Sequence, residues 1–135
     1  MNIIEFSALY GLHELSGVDF EVVKATERYD EDANVMRLLI DGRIYVATED
    51  PDDGYRSTLG TFELVDGPPI QNTFTPIPVI VSAREHGEDS KSDVIDFVAV
   101  ATGKIVASVG TENTDDYYPY FVANFDPQAA TNASA

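Results

Sequence analysis

Two stretches of the chain alternate apolar and β-branched residues on either side of a glycine turn. Val35 to Ile40 and Arg43 to Thr48 flank Asp41-Gly42. Asp-Gly between two β-rich arms predicts a two-residue type I′ hairpin, because both central residues need φ > 0. The register then pairs Ile40 with Arg43, Leu39 with Ile44 and Leu38 with Tyr45. Both faces carry apolar groups, which puts this hairpin inside a sheet rather than at a bare edge. A second hairpin is predicted over 94–109, turning at Thr102-Gly103. It sets Ile95, Phe97 and Ala99 on one face and Val94, Asp96 and Val98 on the other.

Elsewhere the period changes. Ile3, Phe6 and Tyr10 lie three and four apart, with Leu9 beside them, and predict a helix over 3–15. Asn2 would cap its start and Ser16-Gly17 its end. Strands are expected at 18–24, 61–65, 79–82 and 121–125. Gly67-Pro68-Pro69 and Pro76-Ile77-Pro78 belong in loops or at a sheet edge, since proline cannot donate to a ladder. The small, polar residues 128–135 read as a disordered tail. The fold class expected is therefore α+β: one domain over 1–127, mainly an antiparallel sheet of six to seven strands with one N-terminal helix.

Charge narrows the partners. The chain has 24 Asp+Glu against 8 Lys+Arg, a net charge of -16, with 44% hydrophobic residues to build a core. Direct DNA binding is not expected, because nonspecific affinity for phosphates comes from Lys and Arg. No membrane partner is expected either: no segment is long and apolar enough, and the N-terminus lacks a basic leader, so the cytoplasm is the expected location. Without cysteine there are no disulfides, thiolate metal sites or cysteine nucleophiles.

The acids gather into stretches: Glu27–Asp32, Glu49–Asp53, Glu85–Asp93 and Asp115-Asp116. All fall where turns are expected. Two segments, 50–57 and 110–119, are singled out because they set carboxylates directly beside tyrosine, which makes large contacts at small entropic cost. The candidate binding residues are Asp50, Asp52, Asp53, Tyr55 and Arg56 in one loop and Asp115, Asp116, Tyr117 and Tyr118 in the other. Asp50 to Gly54 fails as an EF-hand, since Gly54 falls at position five and Thr61 at twelve. No cofactor is called for, although these carboxylates leave room for a looser Mg²⁺ or Ca²⁺ site. Pro51-Asp52 with Asp89-Ser90-Lys91 matches the loose PD…(D/E)xK nuclease pattern. The second element is expected in a polar loop, and the surface charge repels a polyanion. His13 and His86 have no ligand partner at helical spacing, and no nucleophile elbow or phosphate-binding loop occurs, so no catalytic residue is assigned.

The blocks DPDDGYRS (50–57) and TENTDDYYPYFVANFDP (111–127), with the VATGKIV run (100–106), resemble a family of small, acidic phage-encoded proteins to which no activity is attached. The resemblance implies a phage or prophage origin and action in the cytoplasm of an infected or lysogenic bacterium. Three functions are open. The first is a non-enzymatic binder that inhibits a host nucleic-acid-binding or defence protein by occupying a basic surface. The second is a small-ligand or hard-cation protein, an enzyme or a nucleotide-signal sponge, with its site between loops 50–56 and 111–118. The third is a minor virion component. A globule of this size spans about 37 Å, along which duplex DNA carries about 22 phosphates. Mimicry of a duplex would need the acids gathered on one face, and their recurrence from Glu5 to Asp126 does not reveal such a gathering. A homodimer would extend the acidic surface.

Overall fold

A computed structural model describes residues 2–24, 32–49, 60–67, 70–84, 90–114 and 120–130, the side chains of 90–92, 113, 114, 120 and 130 excepted. These residues form nine strands: β1 (Ile3–Glu5), β2 (Gly11–Val23), β3 (Ala33–Ile40), β4 (Arg43–Thr48), β5 (Thr61–Val65), β6 (Thr73–Ala83), β7 (Ser90–Ala99), β8 (Ile105–Thr114) and β9 (Tyr120–Phe125). All pairings are antiparallel, in the order β1-β5-β4-β3-β2-β6-β7-β8-β9. The expected α+β class is thus overturned: the sheet has nine strands, and no α-helix occurs among the described residues. None of the described helical turns is long and apolar enough to cross a membrane.

The expected N-terminal helix resolves into β1, a 3-10 turn (Phe6–Leu9) and the first residues of β2. Phe6 and Leu9 are both buried, so their spacing of three is that of a single 3-10 turn. Tyr10 and Ile3, which would have completed a helical stripe, are 48% and 52% exposed. Gly11 then turns the chain at φ +121°, a conformation that breaks a helix and opens the strand.

Ser16-Gly17 does not stop a helix but forms an irregularity in β2. Up to that point β2 pairs with β6, from Gly11 opposite Val81 to Gly17 opposite Thr73. Beyond it β2 pairs only with β3, as far as Val23 opposite Ala33. The β6 side is closed off by Asp19, whose carboxylate accepts from the backbone N–H groups of Gln71 and Asn72 at 2.9 Å each. A bent β2 therefore serves two halves of the sheet, which face each other across one core. Leu15, Met36, Leu38, Ile40, Phe62, Val79, Phe97 and Val109 are buried in that core. Phe62 packs against Phe6 and Tyr45, with ring centroids 4.6 and 5.7 Å apart.

The Asp41-Gly42 hairpin has the expected register, with Asp41 at φ 52° and Gly42 at φ 78° as a type I′ turn requires. It lies inside the sheet between β2 and β5. The second hairpin keeps its expected inner face of Ile95, Phe97 and Ala99, but residues 100–104 make a longer loop closed by Ala99 N–H on Lys104 O. Pro76 and Pro78 lie within β6 rather than in a loop. The Pro78 carbonyl accepts from Val100 N–H, so its ring nitrogen faces the β7 side, where the ladder ends at Val79 opposite Ala99. Each proline thus occupies a local edge. After β9 a 3-10 turn, Pro127–Ala130, seats Ala129 in the core, and Thr102 Oγ1 donates to Ala129 O at 2.7 Å.

Candidate functional site

The loop residues Asp50, Asp52, Asp53, Tyr55 and Arg56, and likewise Asp115, Asp116, Tyr117 and Tyr118, lie outside the described residues. Their anchors are described. The first connection leaves β4 after Thr48 and returns at Gly60, whose carbonyl accepts from Phe6 N–H at 2.9 Å. Gly60 lies against Asp93, 3.8 Å from the position a β-carbon would take. Asp93 sits opposite Thr111, and β8 runs on to Thr114, opposite Ser90, before the second connection. Residues 111–114, expected in the loop, are therefore strand. Ser90 and Lys91 likewise open β7, so the loop-placement objection to the nuclease pattern falls while the charge objection stands.

The anchors of all four acidic connections converge. In one half of the sheet, the ends of β2 and β4 and the starts of β3 and β5 lie at the same end. In the other half, the ends of β6 and β8 lie beside the starts of β7 and β9. Gly60 against Asp93 joins the two halves at one point, and Phe121 of β9 opposite Phe20, Val22 and Val35 joins them at another. The intervening residues 25–31, 50–59, 85–89 and 115–119 hold eleven of the 24 acids and two of the eight basic residues. The Asp41-Gly42 turn lies at the other end of β3 and β4.

The described carboxylates at this end hold the scaffold in place. The Glu49 carboxylate accepts from the Asn34 side-chain amide at 2.9 Å and from the Asn34 backbone N–H at 3.3 Å, and Glu49 N–H donates to Asn34 O, which ties the end of β4 to the start of β3. Arg37 donates to Glu21, and Lys24 to Asp32 at 3.1 Å. Arg84 sits between Asp96, at 2.9 Å, and Glu112, at 3.1 Å, on the outer face of β6, β7 and β8. Asp96 is 7% exposed and also accepts from Ser108 Oγ at 2.6 Å. The hydrogen bond to Asp96 raises the affinity of the Arg84 guanidinium for its proton, burial opposes this, and the charges of Asp96 and Glu112 add to the rise. Asp96 could have been suspected from sequence, as the one acid inside the apolar run VIDFVAV.

Two concavities open here. One, of about 320 Å³, lies between β2–β3 and β9 and is floored by Phe20, Val22, Phe121 and Ala123. The other, of about 390 Å³, is lined by Glu5, Phe6, Tyr10, Gly60, Asp93 and Val94. Phe20 and Val22 were legible only as strand residues; their exposure, 53% and 51%, depends on where the β6 ladder stops. Among the described residues no three metal-ligating side chains come together. No family model, curated protein or solved structure matches the chain.

Proposed function

We propose that the chain is a non-enzymatic acidic binding protein of phage or prophage origin, acting in the cytoplasm of the infected or lysogenic bacterium. In this reading it inhibits a host nucleic-acid-binding or defence protein by occupying a basic surface. One observation carries the reading: the described anchors of the four acidic connections meet at one end of the fold, which favours a charge offered to one partner surface. Charge so arranged steers encounter with a basic patch and weakens with salt over about 8 Å at physiological ionic strength. Affinity capture from bacterial lysate tests it. A partner with a basic face should be held at about 50 mM salt and largely released at about 500 mM. Retention unchanged across that range, or capture that survives charge reversal in all four connections, refutes it. Bare duplex DNA should show no binding at physiological salt.

The cavity between Glu5 and Asp93 favours a second reading, a small-ligand or hard-cation site beside loop 50–56. Titration calorimetry with Mg²⁺, Ca²⁺ and nucleotides separates the two, since the first reading expects no heat.

A further inference from the structure

The sheet ends in two edge strands, β1 and β9, and only one of them is blunted. β1 is three residues long and carries Glu5, two features that discourage a further strand. β9 spans six residues with no charge, proline or register shift, in a chain of which 24% is charged. Asp126 N–H donates to Val106 O at 2.7 Å. Backbone groups of successive residues point to opposite sides of a strand, so those of Asn124 and Val122 also face β8. Those of Phe121, Ala123 and Phe125 point away from it, and among the described residues they have no backbone partner. The 3-10 turn after β9 leaves this edge clear, since it turns toward the β7–β8 loop, where Thr102 bonds Ala129.

We infer that the β9 edge pairs with the same edge of a second copy, antiparallel about a two-fold axis at Ala123. That register uses all three outward residues. Ala123 meets Ala123 and Phe121 meets Phe125 of the second copy, each pair exchanging both of its N–H···O bonds. One patch thus serves both copies, as a closed two-fold dimer requires. Phe121, Ala123 and Phe125 all pack against the core, so the pairing continues the inner face of one copy into that of the other and adds an aromatic cross-strand pair at each end. Two chains of net charge -16 repel, and within β9 no charge meets its like. The second copy is therefore the occupant whose edge fits without a charged residue in the ladder.

The chain has no cysteine, so disulfide trapping reads the register directly. Val122 and Asn124 bond toward β8, so across the two-fold they form a non-hydrogen-bonded pair with Cα atoms about 4.5 Å apart, within disulfide reach. Full-length Val122→Cys mixed with full-length Asn124→Cys should give a cross-linked dimer on mild oxidation, and either variant alone should give far less. No cross-link in the mixture, or as much from one variant alone, overturns the inference. Sedimentation equilibrium on the unmodified chain gives a second measurement. Dimerisation should strengthen roughly tenfold between about 50 and about 500 mM salt, because salt screens the repulsion and leaves the ladder bonds intact. Ala123→Pro removes one outward N–H and should weaken the dimer at least about tenfold. Neither cysteine position is buried, so trapping decides even where the proline variant fails to fold. A chain still monomeric at about 1 mM, a dimer that salt dissociates, or one that a folded Ala123→Pro leaves unchanged overturns the inference. A monomer that still captures a basic partner leaves the acidic-binder reading intact.

Discussion

Gly110→Ala probes the tightest surroundings found at any described glycine. Gly110 lies in β8 opposite Val94, at φ +144°. A β-carbon there would sit 2.0 Å from Asp93 O and 2.7 Å from Val94 Cα, where real β-carbons essentially never come nearer than 3.0 Å. The obstacle is backbone, so no side-chain rotation relieves it, and β7 and β8 must part by about 1 Å. That stretches roughly two ladder hydrogen bonds beyond useful length, at about 1 kcal/mol each. The positive φ adds about 1–2 kcal/mol for any L-residue. The expected loss is about 3–4 kcal/mol, a large share of the roughly 5–15 kcal/mol typical of a domain. In urea the midpoint should fall by about 2 M. Gly11→Ala supplies the control: Gly11 has φ +121° but nothing within 4 Å of its added carbon. It should cost only the conformational part, about 1–2 kcal/mol. If Gly110→Ala cost no more than Gly11→Ala, the close approach of β7 and β8 would not be the constraint described.

Arg84→Met leaves Asp96 buried beside an unneutralised Glu112 and should cost about 2–3 kcal/mol by urea melting, with Arg84→Met/Asp96→Asn costing less than the two single changes together. Gly42→Val forces a β-branched residue to φ 78° and should cost about 1–2 kcal/mol in the same assay. Burial by itself pushes the Asp41 carboxyl up, but the hydrogen bonds from His13, at 2.5 Å, and Glu14 N–H, with the His13 charge, outweigh it and hold it below its usual 3.8. A lowered carboxyl stabilises the fold above its unfolded pKa, and that contribution disappears as pH falls through the folded value. Asp41→Asn should therefore cost under about 1 kcal/mol at pH 6, because Asp41 is 47% exposed, and the difference from wild type should shrink toward pH 3; a difference that grows on acidification refutes the sign.

What the sequence disclosed was local. Asp41-Gly42 fixes its own register because turn chemistry and flanking residues act over a few positions. The face assignment of Ile95, Phe97 and Ala99 follows from a period of two alone. The N-terminal helix was misread because Phe6 and Leu9 repeat over a single turn, and one turn looks alike in an α-helix and a 3-10 turn. For the prolines of β6 the sequence left a loop and a sheet edge both open, because a local edge inside a sheet depends on where the neighbouring ladder ends, some twenty residues along the chain. For the candidate site, the acidic tyrosine segments were visible as composition, whereas the convergence of their described anchors is a property of topology. The cavity between β2–β3 and β9 was hidden for the same reason: Phe20 is exposed through the ending of the β2–β6 ladder, not through its neighbours in sequence.

The double allegiance of β2 also sets how the chain can fold. Most neighbouring strands are consecutive or nearly so, and their hairpins close within microseconds. Two pairings are remote: β1 with β5, and β2 with β6, the latter joining Gly17 to Thr73 and Gly11 to Val81. The residues from β3 to β5 and from β6 to β9 can therefore assemble as two meanders before either is tied to the other. The β2–β6 zipper is then the slow step, opposed by the entropy of closing a long loop. Substitutions along Leu12–Ile80 and His13–Val79 should slow refolding, while those in the Asp41-Gly42 turn should mainly speed unfolding if that hairpin forms after the zipper, and slow refolding if it forms before. A strand shared by two halves thus makes their union a kinetic event, and the anchors of the acidic connections come together only when that union occurs.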